Sequence, residues 1–219
     1  MTASFPAMMI DEIDGKPKAV VRTLTLDDLP PHPVLVEISH SSLNYKDGLA
    51  LTGSARIARR PPMMAGIDLA GTVVRSEDPA WAEGDRVIVN GWGLSETEWG
   101  GFGRFQRLKP EWLIRLPEGF TAEEAMMIGT AGYTAALCVD ALEDWGRIEP
   151  GKGQVLVTGA AGGVGSFAVA LLSARGYAVT ASTGRQETHE FLSDLGAKAF
   201  VERETLAAKG GALQTELWS

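Results

Sequence analysis

The sequence predicts an α/β chain of two modules: a β-rich, barrel-like N-terminal part, then the first half of a doubly wound parallel sheet. Three observations carry this. Up to about residue 120, the short apolar runs Ala19–Arg22, Val34–Ser39, Gly71–Val74 and Arg86–Val89 alternate with clusters of Pro, Gly and Asp, the rhythm of strands joined by turns. From Gln154 onward the order becomes strand, helix, strand, helix, short strand, as in βαβ units. At the junction, VLVTGAAGGVG from Val155 to Gly165 reads as an apolar strand entering a glycine-rich turn.

The totals set limits. At 219 residues, 45% hydrophobic and 22% charged, the chain has ordinary globular composition and room for one large domain or two small ones. A formal net charge of -8 argues against broad nucleic-acid binding, which needs a clustered basic face. No run of about twenty apolar residues is visible, and the start at Met1–Pro6 lacks the basic and apolar regions of a leader. The expectation is a cytoplasmic protein with no membrane or nucleic-acid partner. A single cysteine, Cys138, excludes an internal disulfide and a multi-cysteine zinc site. Its apolar setting, Ala135–Val139, predicts a buried spectator.

The elements follow in order. Gly84–Val87 reads as a turn into a strand, and Trp99–Gly103 as a loop into the strand Arg104–Lys109. Thr121, with Glu124 three residues on, forms a capping-box pattern that opens a helix running through Leu142. The strand from Gln154 leads to a helix at Ser166–Arg175. A second strand from Tyr177 leads to a helix at Gln186–Leu195, ended by Gly196, and a last strand covers Lys198–Val201. The modules are therefore residues 1–120, a helical connection at 121–153, and residues 154–219. A dinucleotide fold of order 3-2-1-4-5-6 needs a second mononucleotide unit. None is legible after Val201, so the chain reads as a C-terminally truncated piece whose first parallel strand becomes an edge.

The glycine turn has a specific chemistry. Ala161, Gly162, Gly163 and Val164 bring backbone N–H groups to a helix start, where a pyrophosphate binds, although the first glycine of the usual pattern is here Ala160. About twenty residues on, an NAD site offers Asp or Glu to the ribose hydroxyls. Here Ser182, Thr183, Gly184 and Arg185 offer short donors and a cation, which is the composition of a 2′-phosphate pocket. The predicted cofactor is NADPH.

Six segments, Ser41–Gly48, Met64–Thr72, Gly91–Gly93, Trp99–Gly101, Ile128–Gly132 and Thr158–Ser166, together resemble the zinc-independent medium-chain reductases, in the branch of acrylyl-CoA reductases and quinone-oxidoreductase-like proteins. The resemblance covers essentially the whole chain in order. It implies a GroES-like β-barrel catalytic domain, a Rossmann NADP-binding domain that is incomplete here, and a homodimer at full length. The implied reaction is NADPH-dependent reduction of the C=C bond of an α,β-unsaturated acyl-CoA, acrylyl-CoA to propionyl-CoA. A quinone or enone reductase is the alternative, and a non-catalytic NADP-binding or scaffold fragment is a third reading.

Zinc-dependent relatives place a Cys where this chain has Asn44 and Gly-His-Glu where it has Gly66, Ile67 and Asp68, so no catalytic zinc is expected. His32, His40 and His189 are too scattered to replace those ligands. Tyr45 carries a hydroxyl that can either donate a proton or position a ligand, and the resemblance places it at the cofactor. Asn44 either orients the nicotinamide or a carbonyl, or closes an Asx-type turn. Thr130 either lines the nicotinamide or caps a helix. Arg203 matches a family arginine that covers the adenine or its ribose phosphate, with a solvated arginine as the alternative. Arg56, Arg59 and Arg60 form the densest cationic loop, suited to the phosphates of CoA or simply solvated. Trp92 and Trp99, set among glycines, either wall the substrate cleft or pack a core.

Overall fold

The computed structural model describes residues 4–206 and divides into two compact units, residues 1–130 and 131–219. The first unit holds β1 (Ser4–Ile13), β2 (Lys16–Thr25), β3 (Val34–His40), α1 (Tyr45–Thr52), β4 (Met63–Met64), β5 (Asp68–Ser76), β6 (Arg86–Asn90), β7 (Phe105–Leu108) and β8 (Ile114–Arg115). Helix α2 (Ala122–Asp144) contains the division point. The second unit continues with β9 (Gln154–Thr158), α3 (Gly163–Ala174), β10 (Ala178–Thr183), α4 (His189–Asp194), β11 (Ala197–Glu202) and α5 (Arg203–Leu206).

In the first unit a three-stranded sheet of order β2-β1-β4 accompanies a five-stranded sheet of order β7-β3-β5-β6-β8. β1 and β2 pair antiparallel from Ser4 opposite Thr25 to Ile13 opposite Lys16. Their two-residue turn, Asp14 and Gly15, has positive φ at both positions, the geometry whose twist matches a hairpin. β1 lies ahead of the first strand expected from the sequence, and β2 extends the run Ala19–Arg22 at both ends. Phe5, Ala7 and Met9 alternate inward from β1 and meet Leu35 and Phe105 of the larger sheet. A second cluster, from Val34 and Val36 through Leu69, Val73, Val87 and Val89, fills the five-stranded sheet. Trp99, half-buried, packs against two of the apolar clusters.

The capping box at Thr121 forms as expected: Glu124 Oε2 accepts from the Thr121 backbone N–H at 2.8 Å, and the Glu124 N–H donates to Thr121 Oγ1 at 3.1 Å. The helix it opens is interrupted at Gly129, whose φ of 51° and ψ of -162° are not helical. That break leaves no continuous helical run of about 20 residues, the length a membrane span needs. Beyond it, Ala135 and Val139 are buried. Cys138 is exposed, which corrects the expectation of a buried thiol. It adjoins Val139, and successive helical residues point about 100° apart, so an apolar neighbourhood in sequence did not place it on the buried face.

In the second unit the parallel sheet has the order β11-β10-β9. Among the described residues β9 pairs with β10 alone, so it forms an edge. Its core joins Val157, Val169, Leu172, Val179 and Leu192. α3 begins at Gly163 rather than Ser166, and the segment read as one helix from Gln186 is a 3₁₀ turn, Gln186–Thr188, followed by α4. Residues 207–219 lie outside the described structure.

Candidate functional site

A cavity of about 680 Å³ lies at the C-terminal ends of β9 and β10, where open parallel sheets bind ligands. Thr158, Gly159, Ala161 and Gly162 line one side. Ser182, Thr183, Gly184, Arg185 and Arg203 line the other. Thus Ala161, Gly162 and the whole predicted phosphate-reading segment come together in one place. Gly163 and Val164 are outside this lining, Val164 being exposed on α3. Thr158 and Gly159, outside the pyrophosphate turn expected at Ala161–Val164, are part of it because the strand end contributes its last residues as well as the turn.

The cavity suits a phosphorylated dinucleotide for reasons internal to it. Gly162 is the N-cap of α3, so the free N–H groups and positive end of a 12-residue helix face the turn. A Cβ on Gly165 would sit 2.3 Å from the Gly159 carbonyl oxygen, so only glycine lets the helix close onto the strand. Ser182 and Thr183 are buried, and Thr183 Oγ1 accepts the Arg185 backbone N–H at 3.2 Å. The Arg185 guanidinium donates to the Ala161 carbonyl at 2.9 Å, bridging the two sides. A side chain at Gly184 would reach Arg203 Cδ at 3.5 Å, so Arg203 lies over that glycine and adds a second cation.

The first unit contains a separate polar cluster centred on Asp68, which is fully buried at the start of β5. Its Oδ2 accepts from the Ser42 hydroxyl, from the Asn44 amide at 3.0 Å and from the Thr130 backbone N–H at 3.0 Å. Its Oδ1 accepts from the Asn90 amide at 2.8 Å and from the Thr130 hydroxyl. Asn44 also donates to Ser42 Oγ at 2.8 Å, so both of its amide hydrogens are committed inside the protein. The Asn44 side chain also belongs to the capping box that opens α1, with the Asp47 backbone N–H directed at it. Thr130 likewise serves the break in α2. The sequence showed Asp68 only as a missing metal ligand; the signal that it is an acceptor hub was the set of donors scattered from Ser42 to Thr130.

Asn44 precedes α1, and Tyr45, the first residue of that helix, is 85% exposed. The buried Asp47 carboxylate accepts the Asn44 N–H at 2.8 Å and the Ile67 N–H at 3.1 Å. Burial raises its pKa above the ordinary carboxylate value, against the opposing pull of those donors. On the same helix Lys46 pairs with Glu96 at 2.9 Å, and Arg59 pairs with the other oxygen of Glu96 at 3.0 Å. Glu96 is held below its usual range, first by the Lys46 hydrogen bond. Arg56, Arg59 and Arg60 are all exposed. Trp92 is 54% exposed with a positive φ of 52°, stacked on Trp112 at 6.5 Å.

Residues 30–136 match the alcohol dehydrogenase GroES-like domain. The chain is 49% identical over 213 residues to the probable acrylyl-CoA reductase AcuI of Escherichia coli, covering 97% of this chain and 65% of that protein. It is 45% identical to the putative quinone oxidoreductase YhfP of Bacillus subtilis, covering 93% and 62%. In structure it is similar to the yhdH oxidoreductase of Salmonella enterica, solved in complex with NADP, with a TM-score of 0.90 at 50% identity over 94% of this chain and 63% of that one. The chain therefore spans less than two thirds of the length of each of these proteins. Agreement in residue order and in backbone path, through the barrel and into the parallel sheet, has one explanation: the chain belongs to the medium-chain dehydrogenase/reductase superfamily.

Proposed function

We propose that this chain serves an NADPH-dependent reductase that saturates the C=C bond of an α,β-unsaturated acyl-CoA, acrylyl-CoA in particular. The observation that carries the reading is the cavity edged by Ser182, Thr183 and Arg185, where short hydroxyls and a cation replace the acidic residue of an NAD site. The NADP complex of the Salmonella relative supports the coenzyme, and the name of the Escherichia coli relative supports the thioester.

A nicotinamide, when bound, supplies the hydride. The chain's own residues do the rest. Ala161, Gly162 and the α3 N-terminus receive the pyrophosphate, Arg185 and Arg203 the adenosine phosphate. Saturating the double bond also requires a proton at the carbon next to the thioester carbonyl. Tyr45 Oη holds one at the exposed start of α1, as donor or as positioning group. Arg56, Arg59 and Arg60 give an acidic protein a local cationic loop for the phosphates of CoA. The reading includes a homodimer in the cytoplasm.

A quinone reductase is the second reading, favoured by the similarity to YhfP and by Glu96, which offsets part of the charge of Lys46 and Arg59. Stopped-flow oxidation of NADPH by acrylyl-CoA and by a quinone, in the wild type and in Arg59→Gln/Arg60→Gln, separates the two. A CoA enzyme should show a KM for acrylyl-CoA raised about 5- to 30-fold, the factor that 1–2 kcal/mol represents, with the quinone reaction unchanged. An unaltered KM removes the loop from substrate binding, and oxidation by the quinone alone transfers the assignment to the second reading.

A further inference from the structure

We propose that Asp68 is a positioning residue of the catalytic unit: its buried carboxylate sets Asn44 and Tyr45 on one side and Thr130 on the other, and it does so without touching substrate. The inference rests on the reductase reading above. Five hydrogen bonds converge on this one carboxylate, from Ser42 and Asn44 before α1, from Asn90 at the end of β6, and twice from Thr130. An ionised carboxylate is acceptor-only, with about four lone-pair sites, so it alone among side chains of this size can take donors from every direction. An amide of the same shape would turn N–H groups toward some of those donors. The backbone is cut to fit: Gly129 breaks α2 immediately before Thr130, whose N–H donates to Asp68 Oδ2, and a Cβ at Gly129 would stand 3.1 Å from Asp68 Oδ2 and 3.4 Å from Ser42. Asp68 is on a strand in the middle of a sheet, between β3 and β6, and so is a fixed reference point. Tyr45 follows directly on Asn44, and its direction depends on how that residue is held.

The test compares wild type, Asp68→Asn, Tyr45→Phe and the double variant, by NADPH binding and by steady-state turnover with both acrylyl-CoA and a quinone. Asp68→Asn should bind NADPH within about 2-fold of wild type while kcat falls by about 100-fold, the loss that a misplacement of about 1 Å produces. In the Tyr45→Phe background it should lower kcat little further, because residues that act as a unit are not additive. A merely structural role would instead give the same loss in both backgrounds, and that result, or a wild-type kcat in Asp68→Asn, overturns the proposal. Should Asp68→Asn fail to fold, Asn44→Ala takes its place in the cycle with the same two outcomes. Should the wild type oxidise NADPH with neither acceptor, the reductase reading fails by itself. Amide hydrogen exchange then decides: faster exchange at Tyr45 and Thr130 in Asp68→Asn, with β10 unchanged, supports the hub, and unchanged exchange at both overturns it.

Discussion

Arg185 shows what single residues disclose and what they hide. Its position after Ser182, Thr183 and Gly184 was legible because a cation at a strand end has few structural uses, and the structure brings all four to one cavity with Arg203. Replacing it by Asp should weaken NADPH binding by about 100-fold, as loss of a close charge pair does, while NADH binding changes little. Calorimetry of both coenzymes measures this, and equal losses would mean that no 2′-phosphate is read there. Asp68 was illegible for the opposite reason. Its five donors are separated by up to 62 residues in sequence, and only the fold gathers them. Asn44 fell between: the residue was noticed, but the direction of its amide, inward to Ser42 and Asp68, depends on partners that a linear reading does not supply. Cys138 is exposed beside the exposed Leu137, while Ala135 and Val139 take the buried face, a division that the apolar run does not disclose.

At the level of elements, the parallel strands and the Thr121 cap were readable because β-branched runs and capping boxes act locally. β1 was not: MMIDEI, from Met8 to Ile13, lacks that composition, and pairing with β2 and β4 makes it a strand. The early start of α3 was hidden by glycine's poor helix propensity. Of those glycines Gly165 is the most constrained by packing, its Cβ position lying 2.3 Å from the Gly159 carbonyl oxygen. Gly165→Ala should therefore destabilise the second unit by about 1–3 kcal/mol, the usual cost of overpacking, visible as a lower denaturation midpoint. A midpoint equal to wild type would show that α3 can shift away from β9. The break in α2 was likewise invisible, since Gly129 and Thr130 read as a motif while the geometry is fixed by the distant carboxylate of Asp68.

For the molecule as a whole, each unit has its own apolar core, and the division after Thr130 falls within the segment 121–153 expected to connect the modules. The edge position of β9, anticipated from the strand order, is what the sheet shows among the described residues. An apolar edge invites pairing with another chain. The 219-residue chain should therefore self-associate as its concentration rises, and Leu156→Lys, at an exposed position of β9, should suppress this in sedimentation velocity. Equal sedimentation of both would exonerate the strand. In a parallel strand bonded on one side, the N–H and C=O of every second residue of Gln154–Thr158 turn away from the one neighbour, β10, that it has among the described residues. Whatever settles against that margin will be selected first by the heading and spacing of its own backbone, before any side chain is consulted.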